Sequence, residues 1–310
     1  MRLPKIGPAF LVTAAFIGPG TIISASMAGA NYGLSLVWAL LFAMVATLVL
    51  QEMAARLGIV SQQGLGENIR HAIKQPLIKA LVITLVVSAI VVGNGAYQSG
   101  NISGASLGLV SVVEQLGWKV SYVNWLFPLS IGVIAFLLLI TGSYKVIESA
   151  LVLLVGLMSV AFIVTFFLSD PQWLELGKGF IAFELPTGAT LTVIALIGTT
   201  VVPYNLFLHA STVSQKWHSI NDIPTARKDL FISIPLGALI SVAVLSTAAS
   251  AFFGKQISLQ SAADIAPALQ PLFGDSSSLF LGFGLFAAGI SSAITCLLYT
   301  SDAADDLLCV

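Results

Sequence analysis

The sequence predicts an all-α polytopic membrane protein built as a five-helix inverted repeat whose second half is incomplete, and three observations carry that prediction. The first is composition: of 310 residues 57% are hydrophobic and only 9% charged, where a soluble domain needs roughly 25% charged residues to face water. The second is the arrangement of the apolar residues. They fall in eight runs, at about 7–30, 33–58, 77–107, 122–142, 146–169, 188–212, 229–253 and 278–296, most of them near the roughly 20 residues that cross a bilayer. The third is that Pro19 and Pro203 interrupt the first and sixth runs near their centres.

Each element can be justified in turn. The first run follows Arg2 and Lys5 and contains small residues, as a signal peptide would. It continues past any cleavage site, however, and Gly18-Pro19-Gly20 breaks it internally, so it is read as a membrane span. A cytoplasmic N-terminus puts Arg2, Lys5, Arg56, Arg70, Lys74, Lys79, Lys145, Lys216, Arg227 and Lys228 inside, leaving Lys119, Lys178 and Lys255 outside. That orientation obeys the positive-inside rule and its reverse violates it. A proline in a helix removes a donor and clashes with the carbonyl four residues back, and in lipid such a break survives only inside protein or beside water. The segments 14–24 (AAFIGPGTIIS) and 198–209 (GTTVVPYNLFLH) also place Thr, Tyr, Asn and His in otherwise apolar helices. Two breaks five spans apart match an inverted repeat that holds its substrate at the midplane between unwound segments.

These residues carry a resemblance. Residues 51–60 (QEMAARLGIV), 174–180 (LELGKGF), 203–211 (PYNLFLHAS) and 287–295 (AAGISSAIT) resemble, in order and spacing, the Nramp (natural resistance-associated macrophage protein) family of divalent-metal transporters. The resemblance implies the LeuT-type fold, with helices 1–5 of the first repeat at about 7–169, helices 6–8 of a partial second repeat at about 188–295, and a transporter domain over 1–295. The family motif Asp-Pro-Gly-Asn reads Gly18-Pro19-Gly20-Thr21 here, and Met-Pro-His-Asn reads Val202-Pro203-Tyr204-Asn205. The binding aspartate, the first asparagine and the selectivity methionine are therefore replaced. The family's span-three acids for proton movement appear as Asn94 and Tyr97.

The loss has a size. A carboxylate about 4 Å from a dication contributes about 8 kcal/mol at an effective dielectric of 20. What remains is dipolar: the carbonyls of Ala15 and Gly18, the Thr21 hydroxyl, the Asn205 amide and Thr199, with Val202 at the methionine position and Gly20 and Tyr204 flanking the breaks. Oxygen-only ligands suit hard ions, whereas a thioether favours softer ones. The expected function is a transporter or facilitator of a divalent cation such as Mg²⁺ or Mn²⁺, with proton coupling weak or absent. Transport of a small organic solute such as an amino acid and a non-transporting sensor are the alternatives. The expected cargo is the divalent ion, with no cofactor besides it, and the partners are the lipid bilayer and that small cation. A balanced charge of −1 excludes nucleic acid, and no obligate protein partner is implied. No nucleophile–base pair at recognisable spacing supports an enzyme. A prokaryotic inner membrane is the expected location, from the compact chain and short loops.

His209 could relay protons or sit buried on a backbone carbonyl. Asn94, Tyr97, Gln98 and Asn101 lie largely on one face of span three, which suits a permeation path or helix-to-helix hydrogen bonding equally. Glu52 and Arg56 form an i, i+4 pair, and His71 and His218 fall in cytoplasmic loops. Residues 261–273 read as a short interfacial helix. The segment 296–310 (CLLYTSDAADDLLCV) turns acidic where the eighth span should continue, and is expected to be a non-native tail.

Overall fold

A computed structural model of the chain describes residues 7–117, 125–140, 144–254 and 275–308. Among them are twelve α-helices: α1 (Pro8–Phe16), α2 (Pro19–Tyr32), α3 (Val37–Ser61), α4 (Leu65–Ala72), α5 (Pro76–Gln115), α6 (Leu126–Ile140), α7 (Tyr144–Leu168), α8 (Trp173–Ile181), α9 (Thr190–Thr200), α10 (Pro203–Lys216), α11 (Ile223–Phe252) and α12 (Asp275–Leu308). The eight apolar runs map onto α1 with α2, then α3, α5, α6, α7, α9 with α10, α11 and α12. By length and composition α3, α5, residues 190–216 and α11 are each sufficient to cross a membrane. The α1–α2 pair adds a broken span bent by 54°, and α8 turns off α7 by 114°. The interfacial helix expected over 261–273 lies outside the described residues.

Proline placement explains the breaks. Pro8, Pro19, Pro76 and Pro203 each open a helix at its first turn, where the missing N–H would have had no partner and the fixed φ already suits the helix. The clash that disfavours proline inside a helix is thus avoided by ending one helix and starting another. Both breaks use the same two-residue bridge. Ile17 (φ −84°, ψ 61°) precedes extended Gly18 (φ −95°, ψ 177°), and Val201 (φ −88°, ψ 75°) precedes extended Val202 (φ −92°, ψ 122°). Equivalent backbone geometry at helix one and helix six is what a repeated unit produces.

The helices pack by letting backbones approach. α5 runs along α12, and α2 along α11. A Cβ on Gly108 of α5 would lie 2.5 Å from the Gly282 carbonyl of α12, and one on Gly29 of α2 would lie 2.1 Å from the Leu245 carbonyl of α11. Small residues at such crossings are the usual device where lipid supplies no hydrophobic drive between helices. α11 is the central helix, with 72% of its apolar window buried, against 6% for α5. Leu77, Leu81, Leu85 and Val92 of α5 are all more than 60% exposed, an apolar face that suits hydrocarbon rather than water. α12 runs on through residues 296–308 as helix rather than ending near 295. Its run 303–308 (AADDLL) includes the strong helix formers Ala and Leu.

Candidate functional site

The two breaks meet. Thr21, on the first turn of α2, donates its hydroxyl to the Phe16 carbonyl at 2.5 Å and lies 3.2 Å from the Thr199 carbonyl at the end of α9. A cavity of about 20 Å³ sits between them, lined by Ala15, Phe16, Gly18, Gly20, Thr21, Tyr97, Asn101, Thr199, Val202 and Tyr204. That volume admits one water-sized particle, for which about 10–15 Å³ is needed.

An α-helix leaves its last four carbonyls without intrahelical donors, and the ends of α1 and α9 both face this point. Tyr204 donates to Ala15 at 3.5 Å, and Ser292 of α12 reaches Ala15 at 3.3 Å and Ala14 at 3.5 Å. Tyr97 donates to Gly198 at 3.0 Å. Five carbonyls (Ala14, Ala15, Phe16, Gly198 and Thr199) therefore share the four hydroxyl protons of Thr21, Tyr97, Tyr204 and Ser292. Each carbonyl oxygen also carries two lone pairs. Asn101 adds a buried amide nitrogen with no partner, and the centre carries no formal charge. Among the described residues no three His, Cys, Asp or Glu side chains cluster as metal ligands.

Gly18 is required by contact rather than by backbone strain, because its φ and ψ are extended. A Cβ there would lie 2.8 Å from Ser292 Oγ and 3.3 Å from Asn101 Oδ1. Gly104 of α5 seats Pro19 in the same way, its Cβ position being 2.2 Å from the proline Cβ.

Of the residues singled out from the sequence, Ala15, Gly18, Gly20, Thr21, Tyr97, Thr199, Val202 and Tyr204 line the cavity. Asn205 does not. As the third residue of α10 it points about 200° of helix turn away from Pro203 and 100° from Tyr204, is fully buried, and neither amide atom has a hydrogen-bond partner. Asn94 is buried and receives the Cys296 thiol on its carbonyl at 3.6 Å, while the buried Oε1 of Gln98 finds no partner. Pro203 is exposed. His209 lies a turn beyond Asn205, fully buried, with Nδ1 3.0 Å from Gln51 Oε1 of α3. Its partner is a side-chain amide, not a backbone carbonyl, and its Nε2 has none.

Three contacts were not apparent from the sequence. Ser292 lies in the family-like stretch 287–295, yet nothing in its spacing ties it to helix one. Asp229 of α11 accepts the Ala9 N–H at 2.9 Å and so caps the start of α1, a pairing 220 residues apart. Glu52 is paired mainly with Arg227 (2.7 Å) rather than with Arg56 (3.8 Å). His71 is exposed on α4, and His218, also exposed, has Nδ1 3.0 Å from Gln62 Oε1.

A family model described as natural resistance-associated macrophage protein-like matches residues 9–309. The fold is similar to the crystal structure of the Eremococcus coleocola manganese transporter in complex with an aromatic bis-isothiourea substituted compound. The TM-score is 0.78 at 21% identity, over 98% of this chain and 65% of that one. A glutamate-to-glutamine mutant of the same transporter gives a TM-score of 0.77 at 21% identity, over 100% of this chain and 69% of that one. The chain thus spans just under two thirds of the first of these structures. With the family match running over nearly all its residues, the chain belongs to the Nramp family of integral membrane proteins.

Proposed function

We propose that this chain is part of a membrane transporter or facilitator, not an enzyme, which passes a divalent metal cation between broken helices one and six. Family membership supports the class, and the solved relatives named above are manganese transporters. The observation that carries the reading is the convergence of five carbonyls at the breaks around a space for one small particle. Carbonyls so gathered offer lone pairs to a cation. Its volume argues against an amino acid, which has at least five heavy atoms.

Binding is pictured as an exchange of protons for a metal. The Thr21, Tyr204 and Ser292 hydroxyls turn their hydrogens away and present lone pairs, and the carbonyls of Ala15 and Thr199 turn from hydrogen-bond acceptors into ligands. With no carboxylate to neutralise it, the ion is held by neutral oxygens alone, which suit a hard ion such as Mg²⁺. The residues lining the cavity include no Asp or Glu, which supports weak or absent proton coupling. The N-terminus is placed in the cytoplasm by the distribution of Lys and Arg, and a prokaryotic inner membrane is the proposed location.

The test is flux. Purified chain in liposomes loaded with a metal-sensitive dye is expected to give saturable Mg²⁺ or Mn²⁺ uptake with little change in internal pH. Absence of saturable uptake of Mg²⁺, Mn²⁺ and Ca²⁺ ends the cation reading.

A further inference from the structure

We propose that Asn101 of α5 and Ser292 of α12 are ligands of the transported cation, making the site a convergence of helices one, three, six and eight that selects a hard divalent ion. The proposal rests on the cation reading above and adds two residues that neither helix break contains.

Position supports it first. Asn101 and Ser292 are 5% and 1% exposed, yet both come within about 3 Å of where a side chain on Gly18 would begin. Asn101 lines the cavity, and its Nδ2 has no hydrogen-bond partner. A buried amide nitrogen left so is uncommon; as it stands it calls for an acceptor such as water, and the amide turns to offer its oxygen to a cation. The two amide ends exchange by a flip of the terminal torsion, so this side chain presents either a donor or an oxygen at one location.

Rigidity supports it second. One turn from Asn101, Gly104 is pressed against Pro19. One turn from Ser292, Gly289 is pressed against α5, with its Cβ position 2.4 Å from Ala105 Cβ and 2.7 Å from the Asn101 carbonyl. Both side chains therefore stand on backbones locked against each other and against the break. Fixed placement of this kind is what a coordination shell needs.

Chemistry supplies the class. Asn101 Oδ1, Ser292 Oγ and the Ala14 and Ala15 carbonyls that Ser292 now covers are neutral oxygens. Such ligands favour hard, Mg²⁺-like ions and give no advantage to a thiophilic ion such as Cd²⁺.

The experiment measures MgCl₂ and CdCl₂ binding to the purified chain in lipid nanodiscs with reductant present, for wild type and for N101A, N101D, S292A and S292C. N101A and S292A are expected to weaken Mg²⁺ at least tenfold. N101D, nearly isosteric and so insensitive to packing loss, is expected to tighten it. S292C keeps the size of serine and replaces oxygen by sulfur, so the Cd²⁺ to Mg²⁺ affinity ratio is expected to rise tenfold or more. A purely structural role moves stability and leaves that ratio alone. If wild type binds Mg²⁺ while N101D and S292C leave its affinity and the ratio unchanged, the two residues are not ligands and the transport reading survives. If wild type binds neither ion, both fall.

Discussion

Placing a carboxylate back at position 18 is the most demanding perturbation of the site. The Gly18 backbone is extended and accepts any residue, so the obstacle to Gly18→Asp is side-chain contact alone: Ser292 Oγ at 2.8 Å and Asn101 Oδ1 at 3.3 Å from the new Cβ. Moving Ser292 aside uncovers the Ala14 and Ala15 carbonyls, which costs about 1–3 kcal/mol for buried groups left unsatisfied. The single variant is therefore expected to unfold at lower temperature than wild type without metal. Against this, a carboxylate about 4 Å from a dication gains about 8 kcal/mol at an effective dielectric of 20. Desolvation of both charges removes much of that gain, so a net tightening of at least about tenfold, 1.4 kcal/mol, is the expectation. The Asn101 amide, whose nitrogen now lacks a partner, can turn to donate to the new group. Combining Gly18→Asp with Ser292→Ala removes the hydroxyl contact but also leaves the Ala14 and Ala15 carbonyls uncovered, so the double variant is expected to melt with Ser292→Ala alone while binding Mn²⁺ more tightly than it. Mn²⁺ titration calorimetry and thermal unfolding on purified protein read both. If the single variant melts with wild type, Gly18 does not pack against α12 as described. If the double variant binds Mn²⁺ no tighter than Ser292→Ala alone, no ion sits at the break.

Three further outcomes follow from the packing. Gly104→Ala drives a methyl to 2.2 Å from the rigid ring of Pro19 and is expected to cost about 1–3 kcal/mol as overpacking, measured by thermal unfolding, with flux reduced as the break shifts; wild-type stability in this variant contradicts the seat. Asp229→Ala removes the cap on the Ala9 N–H, expected to cost about 0.5–2 kcal/mol and to raise amide exchange selectively over residues 8–16 by mass spectrometry. Gln51→Leu and His209→Phe each strand a buried polar partner and are expected to cost about 1–3 kcal/mol, while the double variant loses less than the sum. A double-mutant cycle of denaturant unfolding that proves additive removes the coupling.

What the sequence reveals and what it hides divides along contact distance. The spans are legible because hydropathy acts on each segment independently: residues 229–253 read as apolar before anything is known of their neighbours, and α11 covers them. The breaks are legible because proline acts on its own backbone, and Pro19 and Pro203 announce themselves wherever they are packed. Ser292 and Asp229 were not legible as partners of helix one, because nothing local distinguishes a serine that covers the Ala15 carbonyl from one that bonds within its own helix, as Ser291 does to Ala288. The placement of Asn205 was hidden for the same reason: its neighbour Tyr204 lines the cavity, and one residue of helix rotates the next side chain by 100°, so motif position alone does not say which side of the helix a residue occupies.

The same reasoning bears on how a chain without the family's carboxylate keeps the architecture built around it. A buried anion at a helix break demands a partner, and in the absence of one it destabilises the fold. Glycine at position 18 removes that demand, and Ser292 closes the space, its hydroxyl covering the exposed Ala14 and Ala15 carbonyls. The fold is thereby released from dependence on its cargo: α1 ends, α2 begins, and Thr21, Tyr97, Tyr204 and Ser292 supply the hydrogen bonds that a bound cation would otherwise replace. If a cation binds as proposed, the corollary is weaker binding, since the Thr21, Tyr204 and Ser292 hydroxyl protons already in place must turn away before their oxygens become ligands, an arrangement better suited to an abundant ion than to a scarce one.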